Sequence, residues 1–167
     1  MAWTLPRLRD RPATPPLDVL LVCSPGGHLL QLHELREGWR GYGAAWVTLP
    51  RADARSLLRD DLVYWAHGPT NRSVPNLVRN LLLAHRLVRR LRPRVILTTG
   101  AGVAVPFAWL GRLHGARVVY IESLSRIDSV SLSCRLIRPF ADRVYGQWPE
   151  FVEALPEAHF AGSVFGA

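Results

Sequence analysis

The sequence predicts an α/β fold, a Rossmann-like and mostly parallel sheet with helices on both faces. Three observations predict it. Short apolar runs alternate with longer segments of helical period along the chain, which is typical of βαβ units. These runs are apolar on both faces, as buried parallel strands are. A strand, a glycine turn and a helix follow one another twice, at Gly26 and again at Gly100.

Composition agrees with a single domain. The chain has 167 residues, 49% apolar and 20% charged, which suffices for one core and excludes disorder by composition. No apolar run approaches the roughly 20 residues that a bilayer crossing needs, so we expect a chain that can lie on a membrane but not cross it. Residues 1–17 lack the apolar segment of a signal peptide and are predicted to be a loose leader, followed by one domain at 18–167.

The formal charge of +8 predicts an anionic partner: a phosphate-bearing substrate, an acidic lipid surface, an acidic protein or nucleic acid. A nucleic-acid role has charge alone in its favour and no recognisable motif, so we predict none. Cys23 and Cys134 form neither a zinc motif nor a disulfide framework. We therefore predict no metal and a cytoplasmic setting.

The first half of the chain begins with the apolar run Val19–Cys23, which predicts a strand. Leu29, Leu32, Leu35 and Trp39 follow at spacings of three and four, which predicts a helix. The next elements are a strand at 44–49, a short helix at 52–59, and a strand at 62–66.

The next helix is predicted from Pro75, which fits a first turn, to Arg92, just before Pro93. Its core-facing stripe is predicted to be Leu77, Leu81, Ala84, Val88 and Leu91. The remaining face is basic with extra leucines, which suits an anionic membrane surface. The alternative is an ordinary surface helix packed on the sheet. The residues predicted to face the membrane are Arg79, Leu82, Leu83, Arg86 and Arg90.

The second half repeats the pattern. The predicted elements are a strand at 95–98, a helix at 103–113, a strand at 117–121, a helix at 129–138, a strand at 142–145, a short helix at 149–154 and a strand at 158–160.

Three turns follow the carboxyl ends of strands, where open parallel sheets bind ligands. They are Gly26-Gly27-His28, Gly100-Ala101-Gly102 and Glu122-Ser123. Glycine turns at helix N-termini let backbone amides approach phosphate, so the first two could cradle a diphosphate. The alternative is that they join strands to helices for steric reasons alone. Neither is a GxGxxG fingerprint, and the chain has no GxxxxGK[ST] loop.

His28 and Glu122 are the candidate catalytic residues. His28 opens a helix, where the dipole favours the neutral imidazole that a general base needs, although a structural cap is an equal reading. Glu122 could accept a hydrogen bond from a substrate hydroxyl or act as a base. Its alternative is a salt bridge to an arginine such as Arg126.

Five ordered motifs resemble a known family of glycosyltransferase subunits. The family is the membrane-docking subunit of the two-part asparagine-linked-glycosylation N-acetylglucosaminyltransferase, together with its bacterial PssD-like exopolysaccharide and capsule counterparts. The resemblance covers residues 18–162. The motifs are Ser24-Pro25-Gly26-Gly27-His28-Leu29, the segment 98–106, Tyr120-Ile121-Glu122-Ser123 with Arg126 and Ser131-Leu132-Ser133, then Ala141-Asp142, and Gln147-Trp148-Pro149.

The resemblance implies the amino-terminal, acceptor-side half of a GT-B glycosyltransferase, with a separate small subunit that binds the UDP-sugar. It further implies inverting transfer to a polyprenyl-diphosphate-linked sugar in capsule or exopolysaccharide biosynthesis, at the inner face of the plasma membrane and without a cofactor. A non-catalytic scaffold that orients a partner enzyme is the alternative. The residues implied to hold the acceptor diphosphate are Gly26, Gly27, Gly100, Gly102, Ser123 and Arg126.

Overall fold

The computed structural model describes residues 16–70 and 73–166, which form one seven-stranded sheet. Residues 1–15 of the predicted leader lie outside the described residues. The elements are β1 (Val19–Val22), α1 (Gly27–Glu34), β2 (Ala44–Thr48), α2 (Ala52–Leu57), β3 (Val63–Trp65), α3 (Val74–Leu91), β4 (Val95–Thr98), α4 (Ala104–Leu113), β5 (Arg117–Ile121), α5 (Leu132–Ile137), β6 (Arg143–Gly146), α6 (Pro149–Ala154) and β7 (His159–Phe160).

The sheet has the order β3-β2-β1-β4-β5-β6-β7, and every pairing is parallel. This confirms the predicted fold class. The central strand β1 pairs with β2 on one side and β4 on the other, with Leu20 opposite both Ala45 and Ile96. The strand order therefore reverses between β1 and β4, and a ligand crevice is expected at their carboxyl ends.

Two core layers cover the sheet. One layer packs α1 and α2 on the sheet around Leu21, Leu32 and Trp46. The other packs α3, α4 and α5 around Leu20, Ile96 and Phe107. Strand residues alternate between the layers, which is why the apolar runs show no polar face.

The predicted core stripe of α3 is wrong over the amino-terminal half of the helix. Leu77 and Leu81 are about half exposed, and Asn76 and Asn80 face inward instead. Asn76 Nδ2 donates to the Pro69 carbonyl, while Asn80 accepts from the His67 amide and donates to its carbonyl. These bonds satisfy backbone groups of the loop after β3, so the inward position carries amides rather than leucines.

Leu83 differs from its prediction too, because it packs partly buried against the core rather than joining the exposed face.

The structure also shortens the helix predicted at 129–138. α5 begins at Leu132 because Ser131 is its extended N-cap, whose Oγ accepts from the Cys134 amide. Within the described part of the chain, no helix combines the length and apolar character that a membrane crossing requires.

Candidate active site

A cleft of about 1070 Å³ opens at the carboxyl edge of the sheet, beside the point where the strand order reverses. The turns after β1, β4 and β5 all contribute to its wall, as the sequence predicted. Of the predicted site residues, Gly26, His28, Gly102, Glu122, Ser123 and Arg126 line the cleft. Gly27 and Gly100 are not among the lining residues.

His28 lies in the first turn of α1, and its imidazole bonds across the cleft floor to the turn after β4. Its Nδ1 lies 2.8 Å from the Thr99 carbonyl oxygen, and the Thr99 hydroxyl donates to the His28 carbonyl at 2.9 Å. Because a carbonyl oxygen can only accept, Nδ1 carries the hydrogen, and Nε2 of the neutral ring carries the lone pair. The Nδ1 bond fixes the ring's orientation and tautomer as a general base requires, and the Thr99 hydroxyl holds the His28 backbone.

Glu122 has a different environment from the one the sequence suggested. Its side chain is 1% exposed, and its oxygens accept from the Ser123 amide, the Tyr120 hydroxyl and the Ser131 amide, at 2.9, 3.1 and 3.1 Å. Among the described residues it makes no ion pair, so the suggested salt bridge to Arg126 does not form. These contacts make the carboxylate an anchor for the loop between β5 and α5.

Tyr120 links this anchor to α5. Its hydroxyl lies 3.1 Å from Ser131 Oγ and 3.3 Å from Ser133 Oγ. Burial and the charge of Glu122 raise the pKa of Tyr120 well above its ordinary value, so the hydroxyl stays protonated and can donate to Glu122.

The turn after β4 requires its glycines. Gly100 has φ +96°, and a Cβ there would lie 2.7 Å from Tyr120 Oη. A Cβ on Gly102 would lie 3.1 Å from the Thr70 carbonyl oxygen, because the two segments are packed together here. Between them Ala101 lines the cleft at φ +70°, a conformation that L residues rarely adopt.

Arg51 and Asp53, which the sequence analysis missed, also line the cleft, from the segment after β2. Asp53 Oδ2 accepts from the Gly26 amide at 2.7 Å, so a carboxylate occupies a position suited to a phosphate oxygen. The signal that could have found them was available, because β2 also ends at this edge and its loop must border the crevice.

Solved structures resemble this domain in fold. The crystal structure of Acinetobacter baumannii MurG superposes with a TM-score of 0.68 at 17% identity, covering 87% of this chain and 45% of that one. A UDP-N-acetylglucosamine 2-epimerase superposes with a TM-score of 0.67 at 12% identity, covering 85% of this chain and 45% of that one. The chain thus spans about half of each. Fold and cleft together define a Rossmann-like half of the GT-B architecture.

Sequence comparison gives the family. The model described as "Oligosaccharide biosynthesis protein Alg14 like" matches residues 66–164, and the chain belongs to this family. The protein named UDP-N-acetylglucosamine transferase subunit ALG14 of Eremothecium gossypii is 30% identical over 184 residues, covering 90% of this chain and 81% of the relative. Its namesake in Rattus norvegicus is 25% identical over 190 residues, covering 94% and 88%. The match to the Yarrowia lipolytica namesake, 34% identical over 86 residues, covers 48% of this chain and 40% of that relative.

Proposed function

We propose that this chain is the acceptor-side subunit of a two-chain glycosyltransferase that uses a UDP-sugar and extends a lipid-diphosphate-linked sugar. The observation that carries the proposal is His28, whose tautomer is fixed by Thr99 in a cleft at the strand-order reversal. The relatives' names, UDP-N-acetylglucosamine transferase subunit, support N-acetylglucosamine as the donated sugar.

The proposed chemistry is inverting transfer. The acceptor hydroxyl attacks the anomeric carbon, the new C–O bond forms, and the bond to UDP breaks as UDP leaves. His28 Nε2 takes the hydroxyl proton. We assign no proton transfer to Glu122, because its oxygens already hold the loop that carries Ser123 and Arg126.

The acceptor's diphosphate is proposed to bind the turn amides on either side of His28. Gly26 and Gly102 let the backbone approach, and the N-terminus of α1 favours negative charge. Exposed Arg126 and Arg51 line the cleft from the segments after β5 and β2, and their guanidinium groups can neutralise phosphate oxygens. The partner chain is proposed to hold the UDP, since this chain provides one half of the GT-B cleft.

The exposed face of α3 is proposed to dock on an anionic membrane. Its amino-terminal half carries large apolar side chains that are 41–69% exposed: Val74, Leu77, Val78, Leu81 and Leu82. Exposed Arg79 and Arg86 lie on the same helix, with Arg90 partly buried. α3 begins just after Thr70 of the cleft wall, so a docked helix would bring the cleft close to lipid headgroups.

The test is reconstitution. This chain is co-expressed with its donor-binding partner, and sugar transfer is measured to polyprenyl-diphosphate N-acetylglucosamine and to other polyprenyl-diphosphate sugars. We expect transfer by the pair and none by either chain alone. The capsule or exopolysaccharide setting implied by the PssD-like resemblance stays a prediction, and the acceptor panel tests it.

His28→Ala is expected to lower kcat by roughly 100-fold to 10,000-fold, the usual contribution of a general base. His85→Ala, a histidine that does not line the cleft, is the matched control. Full activity of the His28 variant would remove its assigned role and favour the scaffold reading.

For membrane docking, replacing Arg79, Arg86 and Arg90 with glutamate should release the protein from anionic vesicles.

A further inference from the structure

Two buried glutamines behind the cleft take no part in the proposed chemistry. Gln31 and Gln147 are 6% and 2% exposed, and neither lines the cleft. Gln31 lies one helical turn after His28, and Gln147 opens the Gln147-Trp148-Pro149 motif after β6. Buried amides need partners, so their contacts identify what they hold together.

Gln147 uses its whole side-chain amide. Its Nε2 donates to Gln31 Oε1 at 2.7 Å and to the Glu122 carbonyl at 2.9 Å, and its Oε1 accepts from the Val164 amide at 3.1 Å. A primary amide has two donors and one acceptor oxygen, so no other side chain of this size makes the same three bonds.

Gln31 completes the bridge. Its Oε1 also accepts from the Leu124 amide at 2.8 Å, and its Nε2 donates to the Gly27 carbonyl at 3.0 Å. The next residue of the motif holds the same loop, because Trp148 Nε1 donates to the Leu124 carbonyl at 2.7 Å.

The bridge therefore joins the α1 turn that carries His28 to the loop that carries Ser123 and Arg126. These two segments form separate walls of the cleft, and the residues that Gln31 bonds are 93 and 116 positions away from it in sequence. In a buried, low-dielectric site each of these bonds is costly to leave unmade, so the pair restricts the separation of the walls.

We propose that Gln31 and Gln147 are positioning residues. They hold the His28 turn and the Ser123–Arg126 loop at a fixed separation, so that the His28 base and the acceptor diphosphate are correctly placed relative to each other. The effect of this pair on catalysis rests on the proposed function. Its effect on the structure, the fixed separation of the two segments, does not, so the two claims can fail separately.

The first experiment measures backbone amide hydrogen exchange in Gln31→Met and Gln147→Met, with no substrate present. We expect the Leu124 amide to exchange at least tenfold faster in Gln31→Met, and the Val164 amide to do so in Gln147→Met. Unchanged protection of both amides would overturn the proposal, whatever the enzyme does.

The second experiment measures kcat and KM of the reconstituted pair. Gln147→Met should lower kcat by roughly 10-fold to 100-fold, since a misplacement of about 1 Å can cost this much. Gln31→Glu keeps both acceptor bonds of Oε1 but puts a carboxylate oxygen, which repels the Gly27 carbonyl, in place of the Nε2 donor. It should therefore retain Leu124 protection and exceed Gln31→Met in kcat.

A matched control separates positioning from lost stability. Arg36→Met breaks the Arg36–Asp61 contact, and neither residue lines the cleft. If Arg36→Met lowers kcat as much as Gln147→Met at the same loss of melting temperature, the positioning role is wrong. If the wild-type pair transfers no sugar, the proposed function fails, while hydrogen exchange still decides whether the bridge holds the loop.

Discussion

At the scale of single residues, Gly100 shows how the turn after β4 is restricted by its neighbours. Gly100→Ala combines an unfavourable φ of +96° with a Cβ 2.7 Å from Tyr120 Oη. We expect a loss of about 2–4 kcal/mol in the free energy of unfolding, measured by urea denaturation.

Gly115→Ala is the matched control for Gly100. Gly115 has φ +88°, and a Cβ at this position would meet nothing within 4 Å, so the variant tests backbone strain alone and should cost only about 1 kcal/mol. Gly100→Ala should cost less in a Tyr120→Phe background than in the wild-type chain, because the phenylalanine lacks the oxygen that the Cβ meets. Equal costs at Gly100 and Gly115 would contradict the clash with Tyr120.

Asp53 makes a second prediction at this scale. Its carboxylate accepts from the Gly26 amide, so the diphosphate that we propose to bind there would be repelled by it and would have to displace it. Asp53→Asn should lower KM for the lipid-diphosphate acceptor severalfold and leave kcat within about twofold, because the repulsion acts on binding. Asp60→Asn makes the same charge change outside the cleft and should leave KM unchanged. A raised KM in Asp53→Asn would show that the carboxylate helps binding instead.

At the scale of elements, α3 shows where sequence periodicity stops being informative. The pattern predicted the helix to within one residue at each end, because Pro75 fits the first turn and Arg92 leaves the helix before Pro93. It predicted the buried face of the carboxyl-terminal half, where Ala84, Val88 and Leu91 are buried, but not that of the amino-terminal half. Asn76 and Asn80 turn inward to bond a loop of the same chain, and such a tertiary partner leaves no trace in hydrophobic spacing.

The exposed face of α3 makes its own prediction. Leu77→Ser with Leu81→Ser should weaken binding to anionic vesicles at least tenfold, because two half-exposed leucines lose the apolar area they would bury in lipid. The melting temperature should change little, since neither residue lies in the core. Leu113→Ser, 73% exposed on α4, is the matched control in a vesicle co-sedimentation assay. Equal losses in the two variants would remove α3 from the membrane contact.

At the scale of the whole molecule, the fold was predictable and part of the site was not. Strands β4 and β5 and helix α6 match their predicted bounds, because turn residues limit each apolar run. The carboxyl-edge rule likewise placed His28 and Glu122 in one cleft. The rule could not predict the environment of Glu122. The Ser131 amide that donates to Glu122 belongs to a loop, and the path of that loop depends on tertiary packing.

The two core layers lead to a prediction about alkaline pH. Cys23 lies in the layer of α1 and α2, and Cys134 lies in the layer of α4 and α5, on the other face of the sheet. Burial raises the pKa of each thiol from 9.0 to about 12, with the charge of Glu122 adding to the effect at Cys134. The unfolded chain therefore releases these protons first as pH rises.

The sign follows from this difference in proton binding. Well below pH 9 both thiols are protonated in both states, and they contribute no pH dependence to the stability. Between pH 9 and 12 the folded state keeps protons that the unfolded state loses, so each thiol lowers the free energy of unfolding by roughly 1 kcal/mol per pH unit. Urea unfolding at pH 8 to 11 should show this loss. Cys23→Ala and Cys134→Ala should each reduce the slope of unfolding free energy against pH by a similar amount. If only one variant did so, the layers on the two faces of the sheet would not unfold as one cooperative unit.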